Sequence, residues 1–256
     1  MNNFIVQNFP LYVPRSAGSI DMLANLTVKA IQQTLPFMTE LCEELSGHRV
    51  KIRDVREFCN LADFEYAEKL KVLMNFHGSD KSSKHNYHLL YGPILRTQDD
   101  IQNILEVGMG TNNTDVASNM GINGKPGASL RAFRDFCPQA NIYGADIDKR
   151  ILFADKNIST YFVDQTEPIT VARLFEEIKG DFNLIIDDGL HSPNANLAIM
   201  RFALPRLKKH GWFVVEDIAN DAVCVWKMMN LILPNEYHSL LIQTEKSVVF
   251  AVQKLK

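Results

Sequence analysis

Two apolar runs in the sequence each end in a pair of carboxylates. The run LII leads into Asp187 and Asp188, and the run FVV leads into Glu216 and Asp217. If both runs are strands of one parallel sheet, their carboxyl ends meet at the edge where open α/β sheets bind ligands. Four converging carboxylates repel one another unless a cation or protons intervene. Carboxylate oxygens suit Mg²⁺, Mn²⁺ or Ca²⁺, so this edge is a candidate metal site.

A histidine stands close to the same strand end. His191 follows Asp188 by three residues. A neutral imidazole at this place can take a proton from a substrate hydroxyl. Each of these residues taken singly could instead cap a helix or face solvent, so the hypothesis depends on the whole set.

A glycine pair follows an earlier apolar run. The run at 104–107 contains Glu106 and leads into Gly108 and Gly110. Glycines at the end of a strand let a ligand approach the backbone closely. A dinucleotide fingerprint needs a third glycine where Asn113 stands. The pair alone also fits an ordinary turn between a strand and a helix.

Two further strand ends carry acidic residues. Asp146 follows the run at 141–144, and an acid at that position can accept hydrogen bonds from both hydroxyls of a ribose. Its alternative role is to cap the next helix. Asp164, followed by Gln165, ends the run at 160–163 and could meet an adenine amino group. Aspartate is also a common turn residue, so this assignment is weak by itself.

These strand ends need a sheet to position them. After residue 100 the chain alternates short apolar runs with amphipathic segments, which predicts a parallel, doubly wound sheet. We predict strands at 104–107, 141–144, 160–163, 182–186 and 212–215, and helices at 129–136, 170–178 and 193–208. Two more runs, 237–243 and 247–252, are separated by only three residues. A connection that short makes an antiparallel hairpin, so we expect a seven-stranded, mostly parallel sheet that ends in a hairpin.

The pattern before residue 90 is helical. Helices are predicted at 20–34, at 37–45 after an interruption by Pro36, and at 64–76 with Ala67, Leu70 and Met74 on one face. A polar, loop-like stretch follows at 77–93. We therefore expect a helical N-terminal cap segment at 1–90 and the sheet domain at 91–256. The apolar helix faces could cover an acceptor site, form a homo-oligomer contact or pack on the chain's own sheet.

The composition bounds the class of protein. Of 256 residues, 46% are hydrophobic and 22% charged, and the net charge is −3, which excludes a disordered chain and gives no basic nucleic-acid footprint. No apolar run is long enough to span a membrane. The first sixteen residues lack the basic start and unbroken apolar core of a signal peptide. With four scattered cysteines, the expectation is a cytoplasmic protein with reduced thiols.

Taken together, the strand ends resemble the class I S-adenosylmethionine-dependent methyltransferases. More narrowly, the sequence resembles the metal-dependent sugar O-methyltransferases and the cephalosporin hydroxylase-like proteins. The resemblance covers roughly residues 75–220. It is carried by GSDK with a later histidine and tyrosine, by EVGMG, by SLRAFR with NIYGADID, and most specifically by the pair DDGLH and VEDI. It implies a Rossmann-like methyltransferase fold.

The resemblance also implies a role for each matching residue. His191 would be the general base. The metal, Mg²⁺ or another divalent cation, would bind Asp188, Glu216 and Asp217. S-adenosyl-L-methionine would contact the remaining matched residues, namely Glu106, Gly108 and Gly110 at its methionine end, Asp146 at the ribose, Asp164 and Gln165 at the adenine, and Asp187 on the cofactor side of its strand end.

The expected function is therefore methylation of a hydroxyl on a sugar or a glycosylated small molecule, with no nucleic-acid or membrane partner. Three alternatives stay open. One is a metal-independent methyltransferase acting on another small molecule or on nucleic acid, although no NPPY-type tetrapeptide is present. A second is a nicotinamide-dependent oxidoreductase, which the missing third glycine disfavours. The third is a non-catalytic domain that keeps the fold for partner binding.

Overall fold

The computed structural model describes residues 1–9 and 18–256, so that 10–17 of the predicted N-terminal segment lie outside the described residues. The chain forms two compact units. The smaller comprises Met1–Val50 and Cys224–Ile232, and the larger comprises Lys51–Val223 and Leu233–Lys256. Every residue of the predicted site belongs to the larger unit. The division at residue 90 remains a prediction.

The described residues of the smaller unit form the helices α1 (Asn2–Asn8) and α2 (Ile20–Ser46) and all but the first residue of α10 (Val223–Ile232). The predicted interruption of α2 is wrong, because the helix runs through Pro36. A proline removes one helical hydrogen bond, and tertiary contacts can outweigh that loss. The half of α2 beyond the proline has such contacts with α10: the Thr39 hydroxyl donates to the Cys224 carbonyl, and Glu43 pairs with Lys227.

The larger unit is built on one sheet. Its strands are β1 (Ile52–Asp54), β2 (Asn103–Val107), β3 (Asn141–Asp146), β4 (Ala154–Asp155), β5 (Ile158–Phe162), β6 (Phe182–Asp187), β7 (Leu207–Ile218), β8 (Tyr237–Gln243) and β9 (Val248–Lys254). In the described part of the chain they have the order β1-β8-β9-β7-β6-β2-β3-β5-β4. The strands β7, β6, β2, β3 and β5 are mutually parallel, and β9 is antiparallel to both β7 and β8.

Helices connect and cover these strands. They are α3 (Val55–Phe58), α4 (Phe64–His77), α5 (Asp80–Ser83), α6 (His88–Ile94), α7 (Ala128–Phe136), α8 (Pro168–Glu177) and α9 (Pro193–Ala203). The predicted apolar face of α4 is buried, and α4 packs against α6 and α7. The stretch at 77–93 is not a loop, because α5 and most of α6 lie within it. Ring contacts join α6 to α7, with Tyr91 edge-on to Phe133.

The seven predicted strands are all present, each within a few residues of its expected position. Two short strands, β1 and β4, are added at the opposite edges of the sheet. The strand order turns back between β2 and β6, and ligands of open α/β sheets bind outside the carboxyl ends at this point. No helix in the described ranges is both long enough and apolar enough to cross a membrane.

Candidate active site

The carboxyl ends of three parallel strands lie level with one another. Val107 at the end of β2 is the register partner of Asp187 in β6, and Asp187 is the partner of Val215 in β7. Beyond Val215 the pairing of β7 with β9 shifts, and Asp217 has a φ of 52°. This irregularity matters because consecutive strand residues normally point to opposite faces. Here it coincides with both Glu216 and Asp217 lining one cavity.

A first cavity lies above β2, β3 and β5. Its walls combine apolar side chains, including Val107, Val116 and Leu190, with most of the residues predicted to bind the cofactor, namely Gly108, Gly110, Asp146, Asp164 and Gln165. Asp188 also reaches this cavity. A flat heterocycle joined to a ribose needs apolar walls and a few well-placed acceptors. The lining fits an adenosine group in both respects.

Position 108, where the first cavity meets the sheet, accommodates only a glycine without strain. Its φ is +87°, and a Cβ there would lie 2.2 Å from the backbone oxygen of Asp188. Its N–H donates 2.7 Å to the Ala145 carbonyl, which fixes the turn to β3. A side chain at this position would therefore strain the backbone and push apart two strand ends.

Asp146 is buried at the end of β3 and holds the glycine turn. Its carboxylate accepts hydrogen bonds from the N–H of Met109 at 2.8 Å and of Asp148 at 2.9 Å. Burial raises the pKa of Asp146, against the effect of these hydrogen bonds. Carboxylate oxygens have about four acceptor sites in all, so acceptors remain for a ribose. Asp148 is buried as well, and it binds Thr111, Asn113 and Arg150 instead of lining the cavity.

Asp187 does not line either cavity that contains the other predicted site residues. It is fully buried and accepts hydrogen bonds from Gln165 at 2.7 Å and from Asn196 at 3.0 Å. Burial raises the pKa of Asp187 to about 6. The Gln165 oxygen in turn accepts from the Leu190 N–H at 2.9 Å. The structure thus gives Asp187 a position behind Gln165, where it orients that side chain, and its predicted contact with the cofactor stays a prediction.

The second cavity adjoins the first and is lined by many charged groups, including five carboxylates and three lysines. Both cavities are lined by Gly110, Ser118 and Asp188, so they meet at these residues. The second cavity is further lined by Glu106, His191, Glu216 and Asp217. Six of the predicted catalytic, metal and methionine-end residues therefore face one space, and Asp188 stands at its junction with the first cavity.

A lysine that had no predicted role sits among the acids. Nζ of Lys81 in α5 lies 2.6 Å from Asp188, 2.5 Å from Glu216 and 3.1 Å from Glu106. Burial disfavours the ammonium, but the three carboxylates outweigh it and hold the pKa of Lys81 well above its usual value. Burial and the charge of Asp188 raise the pKa of Glu216. Burial likewise raises the pKa of Glu106, whose other oxygen accepts from Ser129 at 2.5 Å.

Glu216 has both of its oxygens engaged. One accepts from Lys81, and the other accepts from the hydroxyl of Tyr91. Asp217 is held differently, because one oxygen accepts from Tyr87 at 2.6 Å and from Ser247 at 2.7 Å. Burial raises the pKa of Asp217, but hydrogen bonds from His85, Tyr87 and Ser247 prevail and lower it well below its usual value. Asp217 is thus held as a carboxylate.

The donors suited to a metal are Asp188, His191 and Asp217, which each offer one atom within 4.8 Å of the others. His191 has a φ of 56°, so a left-handed backbone turns its ring toward this group. Its Nε2 lies 3.8 Å from Oδ1 of Asp188, and its buried Nδ1 finds no partner among the described residues. The two hard carboxylate oxygens fit a divalent cation with remaining water ligands, and the histidine beside them can stay free to accept a proton. Glu216, the third predicted ligand, is outside this group.

Residue-level reasoning missed Lys81, Tyr87, Tyr91 and Ser247. Lys81 is the last residue of the GSDK segment, and Tyr87 follows it by six residues. Both belong to the stretch that resembles the sugar methyltransferases, so this resemblance could have indicated a role for them. The roles of Tyr91 and Ser247 depend on packing between α6 and the end of the sheet, for which the sequence offers no pattern.

Comparisons with known proteins confirm the resemblance. Over 143 residues the chain is 29% identical to the 8-demethyl-8-alpha-L-rhamnosyl tetracenomycin-C 2'-O-methyltransferase of Streptomyces olivaceus, covering 56% of this chain and 35% of that protein. It is 34% identical over 93 residues to the mycinamicin VI 2''-O-methyltransferase of Micromonospora griseorubida, covering 36% and 23%. The chain thus spans about a third or less of the length of these relatives. No family model matches it.

The fold is also shared with a solved structure. MycE, a methyltransferase of the mycinamycin biosynthetic pathway, was determined in complex with Mg, SAH and mycinamycin VI. Its TM-score is 0.58 at 21% identity, over 73% of this chain and 55% of that one. This likeness confirms the Rossmann-like methyltransferase fold with its antiparallel end.

Proposed function

We propose that the protein is an S-adenosylmethionine-dependent O-methyltransferase that methylates a sugar hydroxyl with the help of a divalent cation. One observation carries the proposal: a cavity suited to adenosine opens at Gly110 and Asp188 into a second cavity, which holds His191 and the three predicted metal ligands. A methyl donor bound in the first cavity would present its reactive end to an acceptor bound in the second.

The cofactor would be held by residues of three strand ends. Asp146 would accept from the ribose, and Asp164 and Gln165 would flank the adenine, because these residues line the first cavity. Gly108 and Gly110 would allow close approach along the turn. Glu106 lies in the second cavity near Gly110, which suits the methionine end. When bound, the cofactor supplies an electrophilic methyl group on a sulfonium.

A divalent cation would be held by Asp188 and Asp217, with Glu216 as a third ligand if its contact with Lys81 opens. When bound, the cation lowers the pKa of a hydroxyl attached to it, as it does for water. Asp217 is well prepared for this task, since its charge is already stabilised by three hydrogen-bond donors. The resemblance to the metal-dependent sugar O-methyltransferases also implies that Asp188 and Asp217 bind the metal.

His191 would act as the general base. Its Nε2 faces Asp188 and the second cavity, so it can receive the proton of an acceptor hydroxyl bound there. By taking the hydroxyl proton at Nε2, His191 would leave the acceptor oxygen free to receive the methyl group that the bound cofactor would supply, with the demethylated thioether as the leaving group. Alignment of the two reactants by adjoining cavities can contribute about 7–11 kcal/mol to such a reaction.

The acceptor class is inferred from the relatives. They are described as O-methyltransferases of a rhamnosyl tetracenomycin, which carries a sugar, and of mycinamicin VI. A sugar also suits the site, because its hydroxyls are numerous and one can face Asp188 while another faces His191. The part of the N-terminal helices in acceptor recognition remains a prediction.

The cofactor can be tested first by isothermal titration with S-adenosylhomocysteine, with and without Mg²⁺, and in parallel with NAD⁺. We expect micromolar binding of S-adenosylhomocysteine and none of NAD⁺. Binding of NAD⁺ alone would favour the oxidoreductase alternative. If neither ligand binds, the strand ends have no cofactor-binding function, and the methyltransferase proposal is wrong.

The metal and the acceptor are tested together by methyl transfer to a panel of rhamnosides and other glycosides. Asp188→Ala should abolish the Mg²⁺-dependent part of turnover and leave S-adenosylhomocysteine binding largely intact. Asp155→Ala, at the far edge of the sheet, is the matched control and should behave as wild type. Unchanged turnover in Asp188→Ala would contradict the metal assignment.

A further inference from the structure

Lys81 is the one residue of the second cavity that brings a buried positive charge into contact with several predicted ligands, as far as the described chain shows. It is 4% exposed, and its ammonium touches Glu106, Asp188 and Glu216. Burying an unpaired lysine is costly, and the carboxylates offset that cost. Conversely, the carboxylates would repel one another without the ammonium. The buried carboxylates therefore require a cation beside them, and the ammonium of Lys81 is that cation in this structure.

The contacts of Lys81 overlap with those expected of the metal. Asp188 is shared: its Oδ2 binds Lys81, while its Oδ1 faces His191. Glu216 is fully engaged by Lys81 and Tyr91. A divalent ion bound between Asp188 and Asp217 would lie close to the ammonium, and two positive charges repel strongly where the surroundings are buried.

We propose that Lys81 is the resident cation of this site and that it competes with the divalent ion for Asp188 and Glu216, so that this one side chain sets the metal affinity. The inference rests on the proposed function, since it concerns the same metal. Lys81 acts here through the ligands and is a positioning residue. Removal of its charge should strengthen metal binding, whereas loss of a merely structural lysine would weaken it.

The test is the dissociation constant of Mn²⁺, measured by electron paramagnetic resonance of free Mn²⁺ on the full chain without cofactor. Lys81→Met removes the charge and keeps an unbranched side chain that is only one atom shorter. We expect it to bind Mn²⁺ at least tenfold more tightly than wild type. Lys84→Met is the matched control, because Lys84 follows the same short helix, is exposed and pairs only with Asp80 among the described residues. It should change the affinity less than threefold.

An unchanged or weakened Mn²⁺ affinity in Lys81→Met would overturn the proposal. Should the single variant fail to fold, Lys81→Met/Glu106→Gln removes one charge of each sign, and the same increase is expected. Lys81→Arg keeps the charge and should show no increase; a tenfold gain there would also contradict the inference.

Titration with S-adenosylhomocysteine separates this proposal from the proposed function. If wild type binds S-adenosylhomocysteine and Mn²⁺ but Lys81→Met gains no affinity for Mn²⁺, only the role of Lys81 is wrong. If wild type does not bind S-adenosylhomocysteine, the methyltransferase proposal fails. If wild type binds S-adenosylhomocysteine but neither protein binds Mn²⁺, both the metal assignment and the role of Lys81 are wrong.

Discussion

The N–H of Met109 donates a 2.8 Å hydrogen bond to Oδ2 of Asp146, so the glycine turn after β2 is tied to the end of β3. The same carboxylate accepts from Asp148. Asp146 therefore shapes the cavity, and in the proposed function it also accepts hydrogen bonds from a ribose. Both functions need a group that only accepts hydrogen bonds.

Asp146→Asn should weaken S-adenosylhomocysteine binding by about 10-fold to 100-fold, the cost of roughly one lost hydrogen bond to a charged group. An amide places a donor where the carboxylate accepts, so one of its contacts must be lost. Isothermal titration gives the affinity, with Asp155→Asn as the exposed control. An affinity within threefold of wild type would show that Asp146 does not contact the cofactor.

The sheet could be predicted from the sequence because its central strands are apolar runs bounded by turns. The two missed strands lacked this signal. β1 has three residues, all exposed, and β4 has two. Such short edge strands exist because a neighbouring strand is present, and not because of their own composition.

The sequence predicts which strand ends form the candidate site, but it predicts less well the direction in which their side chains point. Asp187 and Asp188 are adjacent, yet one points into the protein and the other into both cavities. Glu216 and Asp217 line one cavity where the pairing of β7 is irregular, and no sequence pattern marked this irregularity. Lys81 precedes Asp188 by 107 residues, so their contact depends on tertiary packing alone.

Two glycines with similar backbones allow a matched test of close approach. Gly108 and Gly121 have φ values of +87° and +75°, but a Cβ at Gly121 would meet no atom within 4 Å. Alanine at either position pays for the left-handed backbone, about 1–2 kcal/mol. We expect Gly108→Ala to lose about 1–3 kcal/mol more in urea unfolding, because it overpacks against Asp188. Equal losses would show that the backbone there yields without strain.

His191 should carry the proton transfer. His191→Ala is expected to lower the rate of methyl transfer by about 10²–10⁴-fold while the affinity for S-adenosylhomocysteine stays within about threefold. His191→Asn is the companion variant. The φ of His191 is 56°, a backbone conformation that asparagine adopts readily, and the asparagine side chain cannot act as a base. Both variants should lose the same activity. A loss below tenfold would reduce His191 to a structural residue.

A buried histidine outside the site should make stability depend on pH. His88 in α6 is 6% exposed, and its Nδ1 has no hydrogen-bond partner among the described residues. Burial, with a smaller contribution from Lys71, lowers the pKa of His88 from 6.5 to about 4. The folded state therefore binds this proton less readily than the unfolded state does. The resulting stability is complete above pH 6.5 and is lost as the pH falls toward 4.

Replacing His88 should remove this part of the acid sensitivity. The shift corresponds to about 3 kcal/mol at most between pH 7 and pH 4. We expect His88→Phe to narrow the difference in the free energy of unfolding between pH 7 and pH 4.5, measured by urea titration at each pH. His238→Gln is the control, because His238 is exposed on β8 and its loss should leave the difference unchanged. If His88→Phe and wild type lose equal stability over this range, the neutral state of His88 does not contribute to folding.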